Sequence, residues 1–452
     1  MKRTFTFRQT LAIALLGSCC GLPTAGSAEP VGEGVQAGDA SAESLVFYRS
    51  PVLGAVTDRA AAVWVQTNRP GTVRVSLQAV GSQAVETQVH EAQTEPAGDP
   101  MAIVRFDGLE PGTRYEYAAV PVGGVEVAPS VGAFKTDDPA AADRPLRLAY
   151  GSCFKPAHSR TPPGTSAFLG MAEREPDVVF FLGDFPYTKD GGADQLRAGH
   201  ATIRGTPGFD ALTASTPTLA VYDDHDFGPN DSDGTHPNAD VALETFKRYW
   251  PNPGYGLPDA PGIFCTFTRG PVEFFLLDGR YPSRQGRGTM LGAAQNAWLR
   301  ERLVASTARF KVLVSGTPFS REKEDAWAGT NYIQERDELF GFIAEHGISG
   351  VVAISGDIHR SDVHRLPLGG ERYLYDFTTG PLAHKPRVPP YPLPPAMIHS
   401  YGRLDDRDTY TEIDFNPGAR DAAPAITYRT FSTRFGKTGE VTVSASDLFP
   451  DE

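Results

Sequence analysis

The chain has 452 residues, of which 40% are hydrophobic and 21% charged, and a formal net charge of −13. That length exceeds what one hydrophobic core usually supports, so two domains plus processed or connecting segments are expected. The acidic balance and the absence of basic blocks exclude nucleic-acid backbone binding as the main task, and four cysteines in such a chain exclude a disulfide scaffold.

The chain starts with the basic head Met1-Lys2-Arg3-Thr4-Phe5, continues through the apolar run Leu11-Ala12-Ile13-Ala14-Leu15-Leu16 and reaches the small residues Gly26-Ser27-Ala28. This pattern describes an export signal over residues 1–28 and a periplasmic or extracellular location. The run is too short for a permanent anchor, and no later segment approaches the roughly 20 apolar residues of a spanning helix. Leu16-Gly17-Ser18-Cys19 resembles the site at which bacterial lipoproteins are acylated, so a lipid anchor on Cys19 is an alternative fate of the leader. Lys2-Arg3-Thr4-Phe5 resembles a weakened twin-arginine signal, which would export the protein folded. Residues 29–44 are small, polar and Gly/Ala-rich, as in a flexible leader.

Residues 45–137 alternate in short β-like runs, at 61–65, 73–77 and 102–106, separated by Gly and Pro turns, and predict a small β-sandwich. The segment Gly108-Leu109-Glu110-Pro111-Gly112-Thr113-Arg114-Tyr115 resembles the tyrosine corner of fibronectin type III domains. Trp64 and Tyr115 are expected in the core. Residues 138–144 read as a linker, and from 145 to 452 apolar strands alternate with amphipathic helices, which predicts an α/β domain. The clearest helices are 294–306 and 333–346, the latter stopped by Gly347. The proline-rich stretch 381–395 predicts an extended loop.

The chemistry sits at strand ends. Leu146–Tyr150 runs into Gly151-Ser152-Cys153, and Val178–Leu182 into Gly183-Asp184-Phe185-Pro186-Tyr187. Thr218–Tyr222 runs into Asp223-Asp224-His225-Asp226, with Asn230 shortly after, Phe274–Leu277 into Asp278-Gly279-Arg280, and Val351–Ser355 into Gly356-Asp357-Ile358-His359. Ligands bind beyond the carboxyl ends of strands in open α/β sheets, so these loops are expected to converge. Each cluster alone is an ordinary turn. Together they would bury several carboxylates side by side, which is too costly without compensating cations, so a polynuclear metal site is the economical reading. Cys153 is open to two readings at this point, a bridge to Cys265 or a metal ligand.

This ordered series resembles the PhoD-like alkaline phosphatases (alkaline phosphatase D), a branch of the metallophosphoesterase superfamily; Leu291-Gly292-Ala293-Ala294-Gln295-Asn296-Ala297-Trp298-Leu299 fits as well, and the likeness spans roughly 145–435. The resemblance implies a metallophosphoesterase-type α/β/β/α sandwich preceded by a fibronectin III-like β-sandwich. It implies that Cys153 and Tyr187 bind ferric iron, that Asp184 bridges to a second metal, and that Asn230, Asp357 and His359 complete the centre with calcium. Anionic sulfur and phenolate suit a highly charged iron and oxygen donors suit a hard cation; zinc or manganese is the alternative. The expected reaction is attack of a metal-bound hydroxide on the phosphorus of a phosphate ester, by an alkaline phosphatase with monoesterase and diesterase activity. His225 is the candidate for stabilising or protonating the leaving oxygen, with orienting Asp226 as its alternative role. Arg280 is the candidate phosphate clamp, with pinning its own loop as the alternative. His364 and His384 are read as surface or supporting residues. Three other readings compete: a phosphodiesterase or phospholipase D-like enzyme, a cysteine hydrolase using Cys153, and an inactive secreted binding protein.

Overall fold

The computed structural model describes residues 44–81, 87–94, 99–123, 128–141, 143–159, 166–418 and 423–450. The expected export signal, Cys19 and the leader up to residue 43 lie outside the described residues.

The alternating runs near the start form strands because every second side chain can enter a shared core. Phe47–Val56, Ala61–Thr67 and Met101–Phe106 make one antiparallel sheet, and Gln88–Gln93, Thr72–Ala79, Arg114–Pro121 and Ser130–Lys135 make a second. Val63, Val65, Val73, Val75, Leu77, Phe106, Tyr117 and Phe134 fill the space between them. The Tyr115 hydroxyl accepts a hydrogen bond from the Glu110 N–H at 2.9 Å, tying the strand start to the turn before it.

Ala61–Thr67 is buried along its whole length, because its second face packs on the α/β body. Trp64 is the anchor. Its indole N–H donates to the Arg248 carbonyl at 2.9 Å, its ring lies 6.0 Å from that of Tyr249, and the Arg204 guanidinium sits 4.5 Å from its centroid. Leu45–Glu452 accordingly packs as one compact unit.

The α/β body is built on two seven-stranded sheets. The first runs in the order Thr218–Val221, Val178–Leu182, Leu146–Phe154, Thr409–Asn416, Ala425–Ser432, Gly436–Ser444, with Pro381–Ala383 added beside the end of Leu146–Phe154. The second runs Cys265–Arg269, Val272–Leu276, Phe310–Ser315, Val351–Ser355, Arg372–Thr378, Ser361–Gly369, Met397–Tyr401. Apolar strands suit this placement because both faces of their sheets are covered. The inner faces meet through Phe180 and Phe274 (ring centroids 4.9 Å apart) and through the Tyr150 hydroxyl, which donates to the Phe377 carbonyl at 3.0 Å. Helices cover the outer faces. Gly292–Ala305 and Ile333–Glu345 put Leu299, Leu303, Leu339, Phe340 and Ile343 against the second sheet. Phe168 and Phe209, from helices Ala167–Ala172 and Phe209–Thr213, pack on Phe181 of the first. Both expected helices form within two residues of their sequence bounds, and Gly347 follows the second with a φ of 62°.

Each sheet contains a run of parallel strands, Thr218–Val221, Val178–Leu182 and Leu146–Phe154 at one edge of the first, and Val272–Leu276, Phe310–Ser315 and Val351–Ser355 within the second, so within each run the carboxyl ends emerge on one side. They converge so closely that side chains are excluded: a Cβ on Gly183 would lie 2.4 Å from the Asp223 Cβ, and one on Gly356 would lie 2.7 Å from Ser152.

Removing the anchor between sandwich and body should be costly. Trp64→Ala is expected to destabilise the protein by about 3–5 kcal/mol, visible in calorimetry as a lowered melting temperature; an unshifted melt would mean that the sandwich docks without it.

Candidate metal centre

The loops that begin where the strands end carry unusual backbone. Cys153, Asp184, Asp357 and His359 have φ values of 59°, 54°, 65° and 56°, in the left-handed region. Non-glycine residues rarely adopt it, at a cost on the order of 1–3 kcal/mol each, and such strain persists where the surroundings over-determine it. Here the surroundings are other strand ends: the Cys153 N–H donates to the Gly183 carbonyl at 3.2 Å and the Phe154 N–H to the Asp184 carbonyl at 3.0 Å.

This backbone brings the side chains together. One ligand atom each from Cys153, Asp184 and His359 lies within 4.8 Å of the others, and the same holds for Asp184, Asp224 and His225. The Tyr187 hydroxyl is 2.9 Å from His359 Nε2. Asp357 is buried nearby and paired with Arg321. Asn230 is exposed on the loop after Phe227, next to Asp231, whose N–H donates to Asp224 Oδ2 at 2.8 Å.

The electrostatics of the cluster ask for a cation. Burial, reinforced by Asp184, pushes the Cys153 thiol well up. Burial, then Asp224 and Asp223, pushes up the Asp184 carboxyl, and burial with Asp184 and Cys153 raises the Tyr187 phenol. Asp224 differs: burial opposes its charge, but Arg280 and His225 hold it below the usual carboxylate range. Burial lowers His359, with His384 and Arg387 adding to the effect, which leaves a neutral imidazole with a lone pair to share. The buried Asp224 Oδ1 and His225 Nδ1 find no hydrogen-bond partner among the described residues. A thiol, a phenol, carboxylates and an imidazole gathered in one buried place, with no ion-pair partner on Cys153, Asp184 or Tyr187 among the described residues, fit a metal site. They do not fit a cysteine nucleophile, because a fully buried thiol raised by an adjacent carboxylate holds its proton. Cys153 and Cys265 are both free, so the disulfide alternative is absent.

One expected role changes, and one alternative falls away. Arg280 is 2% exposed. Its Nε donates to Asp223 Oδ1 at 2.7 Å, its Nη1 to the Ser232 carbonyl at 3.2 Å and its Nη2 to Asp325 Oδ2 at 3.2 Å. With its donors committed inward it pins three loops, as the alternative reading had it, and the phosphate clamp expected from sequence is not what its geometry supports. Asp278, its neighbour in the motif, is likewise a hub: it accepts from the Tyr222 hydroxyl at 2.5 Å and from the N–H groups of Ile263, Arg280 and Tyr281 at 2.9, 3.0 and 2.9 Å. His225 does not orient Asp226, whose carboxylate accepts from the backbone N–H groups of Asp223 and Phe185 at 2.6 and 3.4 Å. The His225 ring lies 4.4 Å from that of Tyr187, and the His225 backbone N–H donates to Asp184 Oδ1 at 3.3 Å.

Sequence reading missed Asp224 as a member of the cluster, although it stood within the Asp-Asp-His-Asp run. It also missed Arg321, Lys323 and Asp325, which come from a loop without a motif. Lys323 pairs with Asp231 and, at 3.2 Å, with Asp325.

A family model for PhoD-like phosphatases matches residues 148–391, more than half of the chain. The chain belongs to the PhoD-like phosphatase family. A second model, for a domain of unknown function (DUF7800), matches residues 45–138. Over 328 residues the chain is 27% identical to alkaline phosphatase D of Bacillus subtilis (strain 168), an alignment covering 60% of this chain and 55% of that protein. The chain thus spans about half the length of that relative. Among solved structures, that of PhoD superposes with a TM-score of 0.70 at 21% identity, covering 88% of this chain and 92% of that one. The purple acid phosphatase PPD1 from yellow lupin (Lupinus luteus) seeds superposes with a TM-score of 0.59 at 13% identity, covering 88% and 75%. At these identities the likeness is one of fold: a mixed α/β body behind an N-terminal β-sandwich.

If Arg280 is a pin, Arg280→Met leaves Asp223 and Asp325 buried without their partner and should destabilise the protein by about 3–5 kcal/mol. Wild-type thermal stability of that variant, with a raised KM, would return Arg280 to substrate binding.

Proposed function

We propose that this member of the PhoD-like family hydrolyses phosphate esters at a centre held by Cys153, Asp184, Tyr187, Asn230, Asp357 and His359. The observation that carries this reading is the convergence of Cys153, Asp184 and His359 within 4.8 Å, all three in left-handed backbone, with Tyr187 hydrogen-bonded to His359. The donor chemistry supports ferric iron, which Cys153 and Tyr187 would hold, and calcium, which the oxygen donors would hold, with Asp184 serving both; Asp224, within 4.8 Å of Asp184 and His225, joins the candidate ligands. When bound, such cations acidify water and neutralise charge on phosphate oxygens.

The chain's own residues supply the rest. The Tyr187–His359 hydrogen bond orients both rings. His225, held over Tyr187, turns an unpartnered Nδ1 to hydrogen-bond the leaving oxygen. Arg280, Asp278 and the Asp226 cap keep the loops in register, because small displacements of reacting groups cost large factors in rate. The reading includes a metallophosphoesterase-type four-layer body, a fibronectin III-like sandwich, and export of the mature chain to the periplasm or beyond.

Three measurements test it. Purified protein is expected to contain iron and calcium and to absorb in the visible, as thiolate or phenolate on ferric iron does; an active but colourless, iron-free protein would sink the ligand assignment. Asp184→Asn and His359→Ala are each expected to lower turnover of p-nitrophenyl phosphate by more than about a hundredfold, with far-UV circular dichroism unchanged, and near-normal rates in either would refute the site. Comparing p-nitrophenyl phosphate with its bis ester decides between monoesterase and diesterase action, the bis ester alone being turned over in the phospholipase D-like alternative.

A further inference from the structure

Beside the centre lies a second group of side chains that the proposed reaction does not use. The short strand Pro381–Ala383 runs along the end of Leu146–Phe154, and the backbone bonds that follow gather what comes next on both segments. The Lys155 N–H donates to the Ala383 carbonyl at 2.7 Å, that of His158 to Lys155 at 2.8 Å, and that of His384 to Arg407 at 3.0 Å. Arg407 Nη1 returns to the His158 carbonyl at 3.2 Å. Lys155, His158, His384, Lys385 and Arg407 thereby share one side of the mouth.

Their rings form a path outward from the centre. His384, read from sequence as a surface or supporting residue, stacks on Tyr187 with ring centroids 5.0 Å apart, lies tilted against His359 at 4.1 Å, and meets His158 edge-on at 4.7 Å. Lys155 Nζ is 5.3 Å from the Tyr187 ring. Burial lowers His158, and Lys155, Lys385 and Arg407 add to the effect in that order, so all three cations act on the same imidazole. No carboxylate among the described residues pairs with any of the three, and Arg407 Nε has no partner. Elsewhere around the centre Arg280 is paired with Asp223 and Asp325, Arg321 with Asp357 and Lys323 with Asp231, while Arg387, whose backbone N–H donates to the His359 carbonyl at 2.9 Å, is likewise without a carboxylate partner among the described residues. In a chain with a net charge of −13, three cations without a carboxylate partner beside one ring path, Lys155 and Lys385 exposed and Arg407 half-buried, make a locally positive edge that complements an anion.

We propose that Lys155, Lys385 and Arg407, with His158 and His384 as the floor, bind a second phosphate of the substrate, so that esters carrying two phosphate groups a few bonds apart are preferred over monophosphates. This rests on the phosphoesterase reading above and extends it to substrate class. The ring path sets the spacing: the reacting phosphate lies at His359 and the second lies beyond the His384 ring, at His158.

The metal-loaded enzyme is assayed with adenosine 3′,5′-bisphosphate and adenosine 5′-monophosphate, which differ only in the second phosphate. The bisphosphate is expected to show a KM about tenfold lower, as one charged hydrogen-bonded contact supplies, and Lys385→Met/Arg407→Met is expected to erase that difference while the ratio of the two kcat values holds. Equal KM values in the wild type, or a variant that keeps the preference, overturn the subsite. Lys385→Gln, at an exposed position, gives the same reading with a smaller loss if the double variant does not fold. Should neither nucleotide be hydrolysed, the phosphoesterase reading fails on its own, and titration calorimetry of the bisphosphate still decides the subsite: about tenfold weaker binding to the variant supports it, and equal binding overturns it.

Discussion

What organises this protein is the problem of holding many acidic groups in one dry place. Two like charges about 4 Å apart at an effective dielectric near 20 repel by about 4 kcal/mol, and Asp184, Asp223, Asp224, Asp325 and Asp357 are all buried at the strand ends. The chain answers part of this itself. Arg280 lies between Asp223 and Asp325, and Arg321 lies on Asp357. For Cys153, Asp184 and Tyr187 the described residues provide no ion-pair partner, and there burial drives the acidic groups toward their neutral forms. The division is functional. Where protein cations are present the loops are fixed, and where they are lacking a metal has a reason to bind.

The fold supplies the convergence that creates the problem. Parallel strands in two facing sheets send their carboxyl ends to one side, and glycines at 183 and 356 let those ends approach within distances that a Cβ would forbid. The left-handed residues 153, 184, 357 and 359 then turn each chain sharply so that the side chain, rather than the backbone, enters the cluster. The strain is held by hydrogen bonds between neighbouring loops, such as that from Phe154 to Asp184, and by the apolar core beneath, which leaves the loops little freedom to relax.

The surroundings of the cluster are asymmetric. On one side Arg280, Asp278 and the Asp226 cap form a closed hydrogen-bonded wall. On the other, the segment after Ala383 presents His384 over Tyr187 and His359, with unpaired basic residues beyond it. The chain is acidic overall, so this local reversal of charge is the feature that gives the mouth a direction. The sandwich packs through Trp64 onto Arg204, Arg248 and Tyr249, contacts with no member of the metal cluster among them.

The local elements were legible from the chain alone, because they depend on periodicity and on short-range punctuation. The strand Val178–Leu182 and the helices near 294–306 and 333–346 form close to where apolar spacing put them, and the Gly-Ser-Cys, Gly-Asp-x-x-Tyr and Gly-Asp-x-His runs single out Cys153, Asp184, Tyr187 and His359 as candidates. What the chain alone left open was which of two roles a charged residue takes. Arg280 as clamp or pin, His225 as a group for the leaving oxygen or orienter of Asp226, and His384 as surface or supporting residue all depend on partners far away in sequence: Asp325 for Arg280, Tyr187 for His225, His359 for His384. A residue's type and its near neighbours determine what chemistry it can offer. Only the packing of distant loops decides whether its charge is already neutralised, and that decides whether it is free to meet a ligand.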